Sequence, residues 1–326
     1  MSAGCVSTLK KVGVNLGSGD YGDVSSNFTR GLLVSAFSSN IEQSVEKVSA
    51  ISGKFGAPRV SKGGLNYNPS LTFPLDLGDN ESAGIGDFLA CIFGAEVGVA
   101  VSSNFLHTFS PENSCTAPWL NLWSDKDIKS KQVTGFKPNS IKITLNSGEG
   151  SIQCEVSGIA KSESDLIADQ TLVFSTVEML TPDMTTLLQL GGASATNIDN
   201  VEITLTNEIE GFRPLGVSRD ISKAFKKNIG IEISVSGLAF EDEIERDKWK
   251  NVTDTSFALT ITDPDTNYLA ITLAEAHWNS NEGADINEED LLKMSGTIFA
   301  TGDESGWIVA LKNKYSKSYV DGSAIS

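Results

Sequence analysis

The sequence is short of the residues that most catalytic and metal sites use. It has only two histidines and four cysteines in 326 residues. The cysteines are widely spaced, with no CxxC pair and no His nearby: Cys5, Cys91, Cys115 and Cys154. Structural zinc sites normally bring such residues together at short spacing. Nothing near His107 in the sequence supplies an orienting acid, and His277, beside Trp278, is typical of an imidazole at the edge of a core. We therefore expect no metal, no cofactor and no enzymatic activity.

Positive charge is also scarce. Lys and Arg number 25 against 42 Asp and Glu, a formal net charge of −17. A surface that grips nucleic acid needs clustered Lys and Arg, so a DNA-binding protein is excluded. The same charge does not exclude a protein past which DNA must slide.

Long apolar runs are missing as well. No stretch of about 18 apolar residues occurs, and the N-terminus MSAGCVSTLKKVGV has no apolar core after a basic start. We therefore expect no membrane span and no secretory signal, and folding in a reducing cytoplasm.

The chain does contain many segments in which apolar and polar residues alternate. The clearest lies at 136–161, FKPNSIKITLNSGEGSIQCEVSGIAK. Its apolar residues share one face of two strands joined by the turn NSGEG: Ile141, Ile143, Leu145, Ile152, Cys154 and Val156. NVEITLTNEIEG and IGIEISVSGLAFEDE alternate in the same way further along. The polar face of the ribbon carries Thr, Asn, Gln and Ser with little charge.

Helical patterns are few and short. IGDFLACIFGA predicts a helix closed by Gly94, LTPDMTTLLQLGG one that starts after Pro182, and FEDEIERDKWKNV an amphipathic one. Many strands without regular strand–helix alternation predict a mainly β fold, a β-sandwich or β-barrel with a few short helices.

The two halves of the sequence resemble each other weakly. SLTFPLDLGDNESAGIGDFLACIFG aligns with IGIEISVSGLAFEDEIERDKWKNV as strand, acidic turn and helix, and GSIQCEVSGIAKSES aligns with LLKMSGTIFATGDES. We predict an internal duplication with an N-terminal arm (1–35), a first β half (36–165), a connector (166–197), a second β half (198–312) and a C-terminal arm (313–326). We expect residues 1–30 and the C-terminal arm to order only on assembly.

The order of these features resembles a known family. A Gly-rich arm, a strand before an acidic turn and a helix ending in IFG, HTFSP, WLNLW and NSIKITLNSGEGSIQCEVSGIAK follow one another as in the tail tube proteins of long-tailed bacteriophages. The resemblance is clearest over residues 65–165 and is obscured by acidic insertions in the second half. It implies a structural virion protein whose subunits join edge to edge into rings that stack into a hollow tube, the conduit for DNA ejection.

The resemblance also implies partners and a location. Three chains would form a ring if the fold is duplicated, and six if it is not. Partners would be further copies of the chain, the tape measure, the tail terminator, the baseplate or tip, and viral DNA in transit. Assembly would take place in the host cytoplasm, and the product would lie in the virion tail.

Within that interpretation, the polar rows of the alternating strands are candidates for the channel wall. They are Lys142, Thr144, Asn146, Gln153, Glu155, Ser157, Glu202, Thr204, Thr206, Glu232, Ser234 and Ser236. A wall without Arg arrays would not hold DNA phosphates at every ring. The alternative is that these residues face bulk solvent.

Other functions stay open at the level of sequence. A carbohydrate-binding β-sandwich or adhesin could use tryptophans as stacking platforms: Trp119, Trp123, Trp249, Trp278 and Trp307. A glycoside hydrolase could use acids from 241–245 or 288–290, and DPDTN (263–267) or GADINEED (283–290) could bind calcium, although neither has the full EF-hand pattern. A tube inside a contractile tail or tailocin is a further alternative.

Overall fold

The structure, a computed structural model, consists almost entirely of antiparallel strands. It describes residues 10–17, 19–25, 27–48, 59–112, 117–125, 130–166, 169–176, 179–195, 197–215, 219–238, 251, 253–285, 293–301 and 306–325. Over these residues there is one α-helix, α1 (Ile85–Phe93), and one 3-10 turn, Pro182–Met184.

Nine strands precede residue 160: β1 (Lys10–Leu16), β2 (Gly31–Val34), β3 (Ala36–Val48), β4 (Arg59–Pro74), β5 (Gly94–Val101), β6 (Asn104–Pro111), β7 (Leu120–Ser124), β8 (Ser130–Asn146) and β9 (Gln153–Ile159). Nine follow: β10 (Ser162–Leu166), β11 (Thr185–Leu190), β12 (Ala193–Ser194), β13 (Ile198–Phe212), β14 (Lys223–Leu238), β15 (Thr255–Thr262), β16 (Tyr268–Asp285), β17 (Lys293–Ala300) and β18 (Trp307–Asn313). The prediction of a mainly β fold is confirmed.

Eight strands form a sheet that runs through both halves of the chain. Their hydrogen-bonded order is β3-β4-β9-β8-β13-β14-β17-β16, and every pairing is antiparallel. We refer to it below as the long sheet. The N-terminal parts of β8 and β16 leave the long sheet. That part of β8 pairs with β7 and β10, and that part of β16 pairs with β15 and β18.

The core lies on one side of the long sheet and follows from the alternation of its strands. Side chains of a strand point alternately to the two faces, and the apolar ones are buried here: Ile141, Ile143, Leu145, Cys154, Val156, Val201, Ile203, Leu205, Ile231, Ile233 and Val235. They belong to a hydrophobic cluster that also contains the buried helix α1.

Helix α1 ends where the sequence indicated. Gly94 follows its last residue with φ = 85°, a left-handed conformation that glycine adopts without steric cost. At the other end the side chain of Asp87 accepts a hydrogen bond from the backbone N–H of Gly84 (3.1 Å).

The pairings of the first half recur in the second. From Asn200↔Ser236 to Phe212↔Lys223, residue numbers in hairpin β13–β14 exceed those in hairpin β3–β4 by 164, and β4 and β14 have 16 residues each. The register irregularity has the same place in both: Gln43↔Leu65 then Val45↔Lys62, and Asn207↔Ile229 then Ile209↔Lys226.

A second set of strands repeats in the same way. Up to Glu282, numbers in β16–β17 exceed those in β8–β9 by 140, and one irregularity coincides: Pro138/Ser140 in β8 and Trp278/Ser280 in β16. A second irregularity in β16, between Glu282 and Asp285, has no counterpart in β8. The β7–β8 and β15–β16 pairings share a further irregularity, between Leu120 and Leu122 and between Thr255 and Phe257. Three coincident irregularities indicate one strand plan used twice, because bulges are specific features of a fold.

The halves meet where β8 pairs with β13, from Ser140↔Thr206 to Asn146↔Asn200. We refer to this junction as the internal seam. It makes the long sheet continuous across the two copies of the strand plan.

Two expectations from the sequence need correction. The LTPDMTTLLQLGG segment is helical only over Pro182–Met184. Its Thr- and Leu-rich part is strand β11, which pairs with β15. The expectation that both ends order only on assembly is also wrong. Near the N-terminus, β1 pairs with β2 and β7 and buries Val12 and Val14. Near the C-terminus, Tyr319 is buried, with 2% of its surface exposed.

The charged segment expected as a third helix (240–252) lies outside the described residues except for Asn251. In the described part of the chain, α1 is too short to cross a membrane.

Candidate functional site

All twelve polar residues singled out in the sequence lie on one face of four adjacent strands. We refer to this surface as the polar face: Gln153, Glu155 and Ser157 on β9; Lys142, Thr144 and Asn146 on β8; Glu202, Thr204 and Thr206 on β13; Glu232, Ser234 and Ser236 on β14. Residues opposite one another in antiparallel strands point to the same side. The two central rows therefore run across all four strands without interruption. On the next strand, β17, the exposed Phe299 lies opposite Glu232.

The central row shows how the registers combine. Lys142 is opposite Glu155 on one side and Thr204 on the other, and Thr204 is opposite Glu232. In the next row Glu202 lies between Thr144 and Ser234. The internal seam thus joins the polar rows of the two halves.

Charge on the polar face is sparse and slightly negative. Its charged members are one lysine against three glutamates, a formal sum of −2. Lys142 Nζ lies 2.7 Å from Glu202 Oε2, with side chains 40% and 33% exposed. A pair so exposed contributes at most about 1 kcal/mol. None of the twelve residues is an arginine.

The polar surface extends beyond the residues expected from the sequence. Ser70 and Thr72 of β4 lie opposite Ser157 and Glu155, and the hydroxyls of Ser70 and Ser38 are 2.8 Å apart. On the other flank Thr297 of β17 lies opposite Ser234, with their hydroxyls 3.1 Å apart. The alternation of β4 and β17 is a signal that could have found them, but only the register shows that they share this face.

The two histidines are held by the chain itself in ways that the sequence did not show. The Nδ1 of the buried His107 lies 2.5 Å from Glu96 Oε1 and its Nε2 lies 2.9 Å from the carbonyl oxygen of Tyr315. Both ring nitrogens are therefore engaged in packing the C-terminal residues. His277 Nε2 lies 3.0 Å from Asp254 Oδ1 at the edge of the sheet.

The described residues form neither the sugar-binding nor the metal-binding alternative. Trp119, Trp123, Trp278 and Trp307 are each at most 9% exposed and offer no stacking platform, while Trp249 lies outside the described residues. Within the described ranges no group of three His, Cys, Asp or Glu side chains could hold a metal.

Asp263 in the DPDTN segment stabilises its own turn. It accepts hydrogen bonds of 2.8 Å from the backbone N–H and the side-chain amide of Asn267. The acidic runs 241–245 and 288–290 lie outside the described part of the chain.

Comparison with known proteins identifies the family of the chain. No curated protein matches the chain. A family model described as phage tail tube protein matches residues 61–304, which is 244 of 326 residues and includes every strand of the polar face. The chain therefore belongs to the phage tail tube protein family and is a structural protein of the virion tail.

Proposed function

We propose that the chain closes into rings through the two outer strands of the long sheet, β3 and β16, that the rings stack into a tube, and that the polar face lines the channel through which DNA leaves the particle. The observation that carries this proposal is the polar face, whose two central rows cross from the first half to the second at the internal seam. Closure removes exposed sheet edges, which are otherwise sites of uncontrolled association.

The strand count favours three chains per ring. Each chain supplies eight strands, so three chains supply 24. With strands about 4.8 Å apart and tilted by about 40°, a closed sheet of 24 strands has a backbone diameter of about 48 Å. Six such chains would give about twice that diameter. Only in the smaller ring would the gap between the side chains of the wall and a DNA duplex be comparable to the Debye length, about 8 Å at physiological salt.

The strand plan supports a division into two tube-fold units, residues 36–165 and 198–312, within one chain. Strands β1 and β11, which lie in the segments expected as arm and connector, pair with β7 and β15 and so complete the two units. The internal seam would then be one of six similar seams in a ring of three.

The chemistry of the polar face suits passage rather than binding. Hydroxyl and amide groups keep water at the wall, and scattered carboxylates repel phosphate weakly. Clustered Lys or Arg at each ring would instead release counterions and hold the DNA. We propose that rings assemble in the host cytoplasm and that the tube contacts the tape measure, the tail terminator and the baseplate or tip.

Negative-stain electron microscopy of the purified chain tests assembly. We expect open-ended tubes with a regular axial repeat and a channel diameter that fits a closed sheet of 24 strands. A chain that stays a single globule at high concentration would refute the proposal, and a channel about twice as wide would refute the ring of three.

Charge reversal tests the channel. In particles assembled with Glu155→Lys or Glu232→Lys chains we expect slower DNA release, because each ring would gain three cations on its wall. The slowing should be largest near 10 mM salt, where the Debye length is about 30 Å, and small at 0.15 M, where it is about 8 Å. The control Asp265→Lys makes the same charge change in the β15–β16 turn, at the other end of β16 from its pairing with β17. Equal release from all three particles at low salt would place the polar face outside the channel.

A further inference from the structure

The internal seam provides a template for the seam between neighbouring chains. We infer that β16 of one chain pairs with β3 of the next copy in the register that β8 and β13 use within the chain. This inference rests on the proposed ring and specifies which residues meet in it.

In the described part of the chain, both edges lack a partner strand. Over the described residues β3 pairs with β4 and with no other strand. On the side of β16 that β15 occupies, pairing ends at Ala276, whereas β17 continues along the opposite side to Asp285. In the first half β7 likewise ends at Phe136 of β8, and β13 pairs with β8 from Ser140 onwards. Among the described residues, no strand therefore fills beside β16 the position that β13 fills beside β8.

The offsets of the two strand plans fix the register. Adding 140 to a residue of β8 and subtracting 164 from its partner in β13 gives the pair between chains. The internal pairs Ser140↔Thr206, Ile141↔Leu205 and Lys142↔Thr204 become Ser280↔Glu42, Asn281↔Ile41 and Glu282↔Asn40. The first residue of each derived pair belongs to one chain and the second to its neighbour.

Burial supports the assignment independently. Ile41 lies on the face of β3 that carries the buried Phe37, yet it is 52% exposed. Its counterpart Leu205 is 0% exposed, because β8 lies beside β13. An isoleucine on a core-facing row of an uncovered edge is the residue that a neighbouring strand would cover.

Two polar contacts of the internal seam also have counterparts. The buried Asn207 donates from Nδ2 to the carbonyl oxygen of Pro138 (3.5 Å), and the corresponding pair is Gln43, exposed in the single chain, with the carbonyl of Trp278 in the neighbour. Lys137 Nζ donates to the carbonyl oxygen of Ala224 (3.1 Å). The position that corresponds to Lys137 is occupied by His277, whose buried Nδ1 has no hydrogen-bond partner among the residues that the structure describes.

Disulfide trapping tests the register with four cysteine positions combined in four double variants. In a chain with Cys5→Ser and Cys115→Ser, the in-register variants are Glu42→Cys with Ser280→Cys, and Asn40→Cys with Glu282→Cys. The out-of-register variants exchange the partners, Glu42→Cys with Glu282→Cys, and Asn40→Cys with Ser280→Cys. The native Cys91 and Cys154 are fully buried. Directly opposed residues have Cα atoms about 4.5–5.5 Å apart, which a disulfide can span, and a shift of two residues adds about 7 Å along the strand.

Tubes are assembled under reducing conditions, checked by electron microscopy, oxidised, and separated on non-reducing gels. We expect a covalent three-chain product from at least one in-register variant, with a yield at least five-fold above both exchanged variants. Tubes that give no linked product, or equal yields from all four, would overturn the register while leaving the tube intact. A parent chain that forms no tubes would overturn the proposed function as well.

Discussion

Replacing Arg30 with alanine should destabilise the chain by removing one side of a buried ion pair. Arg30, just before β2, contacts Asp87 of α1 through both carboxylate oxygens, at 2.6 and 3.1 Å. It also donates to the carbonyl oxygen of Ser82 and lies over the ring of Tyr315 at 4.5 Å. One residue thus connects β2, α1 and the C-terminal residues.

The magnitude follows from the burial of the pair. The side chains of Arg30 and Asp87 are 12% and 2% exposed. Without the guanidinium the carboxylate of Asp87 keeps the backbone N–H of Gly84 as a donor but has no countercharge. Removing one partner of a buried pair costs about 3–5 kcal/mol, whereas replacing both with apolar residues of similar size is close to neutral.

Urea unfolding of the unassembled chain, followed by tryptophan fluorescence, measures this loss as a shift in midpoint at constant slope. We expect Arg30→Ala to lose about 3–5 kcal/mol and Arg30→Met with Asp87→Leu to lose clearly less than Arg30→Ala. The control Arg213→Ala removes a partly exposed arginine that donates to the carbonyl oxygens of Leu65 and Arg219 and to the side chain of Asn66. It should cost clearly less than Arg30→Ala, because none of these acceptors carries a charge. A loss below about 1 kcal/mol for Arg30→Ala would refute the reasoning.

Three further predictions concern packing, pH and assembly. A Cβ at Gly158 would lie 2.2 Å from the carbonyl oxygen of Lys137, so Gly158→Ala should lower the free energy of unfolding in urea by about 1–3 kcal/mol. The control Gly150→Ala has nothing within 4 Å of its added Cβ and should cost far less. Equal urea midpoints for the two variants would contradict this prediction. Burial raises the pKa of Asp76 to about 6, so the folded chain binds this proton more tightly than the unfolded chain does. The ionised carboxylate therefore destabilises the fold at pH 7, and this cost falls as the pH drops towards 4. Asp76→Asn should therefore be more stable than the parent by about 2–3 kcal/mol at pH 7 and nearly equal at pH 4, and a difference independent of pH would exclude this cause. Ile41→Lys should raise the concentration needed for tube formation at least ten-fold without changing the melting temperature of the single chain. The control Ile308→Lys changes another isoleucine, 45% exposed on β18, and should leave that concentration unchanged. An equal effect of both variants would argue against β3 as an interface.

Local patterns predicted much of this molecule because they act over a few residues. The alternation of Ile141, Ile143 and Leu145 with polar neighbours determines which face of β8 is buried, and Gly94 determines where α1 ends. The same local reasoning failed at residues 185–190. A Leu- and Thr-rich run is compatible with helix or strand, and pairing with β15 decides between them.

The sequence by itself determined a mainly β chain, a family resemblance and a set of polar rows, since composition and period-two alternation need no partner strand. Only the tertiary structure decided that these rows form one surface, that His107 is locked between Glu96 and Tyr315, and that the two halves share their registers and bulges. The reason is physical: register is set by hydrogen bonds between strands that lie far apart in the sequence, as β8 and β13 do.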